Sequence, residues 1–90
     1  MTYILCDVNG YVQDVASISG WWDVINEVGK YQMTGPLIDF VTSGNTSDPE
    51  GVASEITKML PQVKDAHVRV TLISLIEGLK KAKEIGIISQ

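Results

Sequence analysis

The apolar pattern of this chain changes period once, and that change limits the fold more than any other feature. Through residues 2 to 16, Ile4, Cys6 and Val8 alternate with Tyr3, Leu5 and Asp7. A period of two belongs to a strand, and Asn9-Gly10 is the pair that tolerates positive φ at both centres of a tight turn. The spacing predicts a β-hairpin over 2 to 16. With Asn9-Gly10 as a two-residue turn, Val8 faces Tyr11, Cys6 faces Gln13 and Ile4 faces Val15. That register gives one mostly apolar face. An isolated hairpin is marginal in water, so this face must lean on helices.

Beyond the hairpin the period becomes helical. Ser19 is an N-cap candidate for a helix over 20 to 31, with Trp21, Val24, Ile25 and Val28 at i, i+3, i+4 and i+7. Asp23 in its first turn complements the helix dipole, and Gly29 weakens its far end. Pro36 suits the first position of a short helix reaching about Ser43, and Gly44 suits its stop. The next start is the clearest. It is either a Ser47-x-x-Glu50 capping box, or Asp48 as cap with Pro49 first in the helix. Val52, Ala53, Ile56, Met59 and Leu60 form its stripe, and Pro61 ends it. Asp65 can cap the last helix, whose stripe of Val68, Leu72, Leu75, Ile76 and Leu79 runs on to Ala82. Val70 and Ile73 widen that stripe, so this helix is expected to be buried on more than one side. Residues 67 to 72 also alternate like a strand, but the unbroken stripe favours helix. Lys80, Lys81 and Lys83 are expected in the last helical turn, with Gly86 as a left-handed stop. Ile87-Ile88 then either packs back on the helix or adds a strand to the hairpin. The fold class is α+β: an N-terminal β-hairpin packed on three to four helices, with the long C-terminal helix central.

Size and composition set further bounds. The chain has 90 residues, 44% of them hydrophobic, enough for the core of a single domain spanning 1 to 90. Its one cysteine, Cys6, gives no internal disulfide and no cysteine-based zinc site. The N-terminal apolar run lacks a basic flank and stops at Asp7, unlike a signal peptide. No stretch approaches the roughly 20 apolar residues of a membrane span. A cytoplasmic protein without membrane association is expected, in which the Asn45-Thr46-Ser47 sequon is idle.

No residue pattern specifies a reaction. Asp7-Val8-Asn9-Gly10 at a strand end resembles the nucleophile motif of haloacid-dehalogenase-type phosphatases. Asn9, however, stands where the second aspartate must act as general acid, and an amide does not supply that proton. A calcium loop beginning at Asp7 would need glycine and glutamate where Val12 and Ile18 stand. His67 is the only histidine. A Cys6–His67 dyad would require an exposed thiol of low pKa, whereas Cys6 lies among apolar strand neighbours. No glycine pattern cradles a phosphate. The three terminal lysines lack interleaved aromatics, and the net charge is −4, so nucleic acid is not an expected partner. No cofactor, metal site or catalytic residue is expected.

Charge and tryptophan carry what functional signal there is. Residues 1 to 57 hold eight carboxylates and one cation, while residues 58 to 90 hold six cations and three carboxylates. Trp21-Trp22 is the other signal: adjacent helical residues point about 100° apart, so one indole enters the core and the other lies at the boundary or in solvent. An exposed tryptophan beside Asp23 and Glu27 would make a contact hot spot. Together these features point to a small acidic, non-enzymatic module that binds a protein with a basic surface. Its candidate residues are Trp21, Trp22, Asp23, Glu27, Asp39, Asp48, Glu50 and Glu55. In style, though without a shared motif, the polar loop leading to an acidic helix start resembles bacterial nuclease-immunity proteins. One alternative is a self-associating structural component of phage or mobile-element origin that uses the last helix. Another is a small ligand-binding domain or enzyme with a pocket between hairpin and helices.

Overall fold

The computed structural model describes residues 2–31, 34–81 and 84–89. Strands β1 (Thr2–Asp7) and β2 (Gly10–Ser17) form the hairpin, followed by helices α1 (Ile18–Tyr31) and α2 (Pro36–Ser43). A two-residue strand β3 (Asn45–Thr46) precedes α3 (Pro49–Met59). A 3-10 turn at Leu60–Gln62 then leads to α4 (Ala66–Leu79) and β4 (Ile85–Ser89). The sheet is antiparallel throughout, in the order β2-β1-β4-β3. The α+β class, with an N-terminal hairpin on a helical layer, is the observed architecture. Residues 67 to 72 are helical, and Ile87-Ile88 lie in a strand paired with β1.

The hairpin register differs from the alternating one. Its turn is Val8-Asn9, closed by the pair Asp7 and Gly10, because the Asp7 carboxylate captures the Asn9 N–H at 2.7 Å. Gly10 takes the positive φ, at +118°, and no described non-glycine residue has one. Cys6 therefore faces Tyr11, Leu5 faces Gln13 and Ile4 faces Asp14. Val12 and Val15 fall at the two register shifts, as extra residues on β2. These bulges turn Val12, Val15 and Ala16 toward the helices and leave Tyr11, Asp14 and Ser17 exposed, a period of three. They also break the regular ladder on the edge strand β2, a form that discourages pairing with another sheet.

The core is one cluster. Leu5 from the sheet meets Trp21, Val24 and Val28 of α1, Leu37 and Phe40 of α2, Val52 and Ile56 of α3, and Leu72, Leu75 and Leu79 of α4. Helix α4 is central in that it packs against α1, α3 and β2. Gly78 lets it approach the sheet closely: a Cβ there would lie 2.5 Å from Leu5 Cδ2. Gln13 Nε2 reaches from β2 to the Ser74 carbonyl, at 2.9 Å, along the same seam. The far side of α4 is not buried as expected. Val70 is 66% exposed and Ile73 47%, because both lie on the turn of the helix directed away from Val68, Leu72 and Leu75. The stripe counted apolar residues without fixing which side had neighbours.

Local signals at the helix ends mostly decide the boundaries. Asp48 caps α3 through the Gly51 N–H, with Pro49 first in the helix. Asp65 caps α4 through the N–H groups of His67 and Val68. Gly44 ends α2 at φ +86°. At α1, Ser17 accepts the Gly20 N–H at 3.1 Å, so the cap is Ser17 and the helix starts earlier than Ser19 implies. Helix α4 stops at Leu79, which puts Lys80 at the C-cap and Lys81 in the following turn. Gly86 is not a left-handed stop; it is extended in β4, paired with Cys6 and Asn45. Ala82 and Lys83 lie outside the described residues.

Candidate functional site

Helix α1 separates its two tryptophans as a helical step of one residue requires. Trp21 is 4% exposed, in the core, with its ring 6.0 Å from that of Tyr3. Trp22 is 55% exposed. Asp23 follows it, exposed and without a partner among the described hydrogen bonds and salt bridges. Glu27 is half-buried and pairs with Lys30 at 3.4 Å. The surface of α1 thus carries an exposed aromatic ring and a free carboxylate on successive residues, about 100° apart around the helix.

The remaining candidate carboxylates are spread over α2 and α3. Asp39 is exposed in the first turn of α2. Asp48 is the α3 cap, and Glu50 is exposed in the first turn of α3. Glu55 is half-buried between two helices and accepts the Leu37 N–H at 2.9 Å, which caps α2. Sequence reasoning missed this role, since the partner lies 18 residues away. No three His, Cys, Asp or Glu side chains among the described residues lie close enough together to hold a metal ion.

The fold also brings part of each charge block of the sequence to one place. A groove of about 770 Å³ runs between the start of α3 and the end of α4. Its acidic wall carries Asp48 and Glu50, and its basic side carries Lys80 and Lys81. No salt bridge joins the two sides among the described residues. The groove exists because α3 presents small side chains there, Ala53 and Ser54, opposite Ile76 and Leu79. From sequence, Lys80 and Lys81 read as complements to the helix dipole, as solubilising charges and as cations that offset the acidic part of the chain; their position in one groove with Asp48 depends on the packing of α3 on α4.

A second, shallower cleft at the end of the sheet contains Cys6 beside Asp7 and Glu84. His67 is exposed in the first turn of α4 and is not part of that cleft. On the outer face of the hairpin the Tyr11 hydroxyl donates to Asp14 at 3.2 Å. Desolvation, then the hydrogen bond to Asp14 and its charge, raise the Tyr11 phenol above its ordinary pKa of 10.0. No helix among the described residues is long and apolar enough to cross a membrane. No family model matches the chain, and neither a curated protein nor a solved structure is significantly similar to it.

Proposed function

We propose that this protein is a non-enzymatic binding module that docks a protein partner with a basic surface through the exposed face of α1. The observation that carries the reading is the exposure of Trp22 next to the free carboxylate of Asp23. A tryptophan left in solvent forgoes a large burial gain, and such residues dominate binding energy once a partner covers them. A net charge of −4 favours encounter with a cationic surface, and Asp23 and Asp39 are exposed to receive it. Affinity capture from source cells at low and high salt tests this. A basic protein should be recovered by the wild type at low salt and lost at high salt. It should also be lost with Trp22→Ala at either salt concentration. Equal recovery by Trp22→Ala argues against the reading.

Self-association through α4 is a second reading, favoured by the exposure of Val70 and Ile73 one turn apart. Light scattering across a dilution series separates the two. A mass that falls on dilution, and is fixed at the monomer value by Val70→Lys, supports assembly. A constant monomer mass supports the partner-binding module.

A further inference from the structure

The groove between α3 and α4 lies apart from the α1 surface. We infer that it is a recognition site for a short peptide segment with an apolar side chain between a cationic and an anionic one. Its floor is apolar: half-buried Ile76 supplies accessible apolar surface, backed by the buried Leu79 and Ala53. Its sides carry opposite charge, with Asp48 and Glu50 from the α3 start and Lys80 and Lys81 after α4. All four charged residues are exposed, and no described salt bridge satisfies one side with the other.

Charge complementarity selects the guest. An anion alone would meet the lysines but be repelled by Asp48 and Glu50, and a cation alone would meet the reverse. A purely apolar guest would cover the floor and desolvate both sides without compensation. A segment with both signs places its carboxylate at Lys80 and Lys81 and its ammonium or guanidinium at Asp48 and Glu50, with its apolar side chain on Ile76. The volume is within the ~300–1,000 Å³ usual for ligand sites. Exposed charge pairs contribute little singly, so affinity comes from the apolar contact and selectivity from the charges.

The test is an amide-shift NMR titration with capped synthetic tetrapeptides. The matched peptide is Lys-Leu-Ile-Glu. Gln-Leu-Ile-Gln lacks the charges, and Lys-Gly-Gly-Glu lacks the apolar centre. The matched peptide should give saturable shifts at the amides of Ala53, Ile76 and Leu79, and each control should bind at least about ten-fold more weakly. Reversing both lysines (Lys80→Glu with Lys81→Glu) should weaken matched binding by a similar factor. Lys64→Glu, a charge reversal outside the groove, should change it less than about two-fold. Circular dichroism confirms that each variant is folded, and Glu50→Lys gives a second charge reversal if the lysine pair perturbs α4. The proposal is overturned by the absence of saturable shifts at the three floor amides. It is equally overturned if either control peptide matches the affinity of Lys-Leu-Ile-Glu, or if the folded charge-reversed variants bind as the wild type does.

Discussion

The carboxylate of Glu55, on α3, accepts a hydrogen bond from the backbone N–H of Leu37, so one helix supplies the N-terminal cap of another. No side chain near Gly35 does this locally, because Gly35 precedes Pro36 and has none to offer. Glu55→Ala should lower stability by about 1 kcal/mol, the usual worth of a cap. Gly35→Ala should cost more. Gly35 has φ +111° with ψ 178°, a region reserved for glycine, and a Cβ there would lie 2.9 Å from Glu55 Oε1. A cost on the order of 1–3 kcal/mol is expected. Urea unfolding of both variants measures it, and a Gly35→Ala variant as stable as the wild type would contradict the geometry.

Two helical glycines should respond in opposite directions to the same substitution. Alanine favours a helix over glycine by about 1 kcal/mol. At Gly29 a Cβ meets nothing within 4 Å, so Gly29→Ala should stabilise by up to about that amount. At Gly78 the Cβ would run into Leu5 Cδ2, and Gln13 Cδ would lie 2.9 Å away. Overpacking of about 1–3 kcal/mol should outweigh the propensity gain, leaving Gly78→Ala destabilised. Thermal unfolding of the two variants side by side gives the signs.

Arg69 ties the end of α3 to the start of α4. Its guanidinium donates to the carbonyls of Leu60, which also accepts the Val63 N–H of the 3-10 turn, and of Val63, which has no backbone donor among the described hydrogen bonds. Arg69→Met keeps much of the stem packing but leaves the Val63 carbonyl without its donor and takes one of two donors from Leu60, and should cost about 1–2 kcal/mol. Both bonds come from Nη1, so Arg69→Lys keeps enough donors on one nitrogen and should recover part of that, limited by the shorter reach of the ammonium. Chemical denaturation of the three proteins provides the comparison.

Tyr11 and Asp14 form a pair on the outer face of the hairpin. Asp14→Asn removes the carboxylate charge, so the phenol should titrate at lower pH than in the wild type, closer to 10.0. A phenol raised in the folded state favours folding below its unfolded pKa and loses that contribution as pH rises through the folded value. Ultraviolet absorbance of the phenolate against pH, in a Tyr3→Phe, Tyr31→Phe background that leaves Tyr11 as the only tyrosine, tests the direction. An unchanged midpoint in Asp14→Asn would mean that Asp14 does not act on Tyr11.

What the sequence disclosed was mainly local. Asp48 before Pro49, Asp65 three residues before Val68, and Gly44 after Ser43 each act within one helical turn. Their roles could be read from spacing alone. The β2 register could not, because Val12 and Val15 look like members of an alternating strand and are instead the extra residues of two bulges. Strand β3 has only Asn45 and Thr46, held by pairing to Gly86 and Ile85, so nothing in its own sequence marks it. Val70 and Ile73 show the limit of periodicity, which counts apolar side chains but not the neighbours available to cover them.

The candidate site was legible to a similar degree. The separation of Trp21 from Trp22 follows from helical geometry, though not which of them would be exposed. The charge split is plain in sequence, but its spatial outcome depends on how α3 packs against α4. That packing places Asp48 and Glu50 in one groove with Lys80 and Lys81, while Glu55 is drawn into the fold as a cap. The proposed docking of a basic partner therefore centres on α1.

Quenching of a single tryptophan by neutral acrylamide tests that surface most directly. Trp21→Phe leaves Trp22 as the only indole of the protein, which allows its fluorescence to be followed with and without the captured basic partner, provided that partner is itself free of tryptophan. Trp22 should be quenched readily in the free protein and shielded several-fold in the complex. Equal quenching in the two states would place the contact elsewhere and contradict the account.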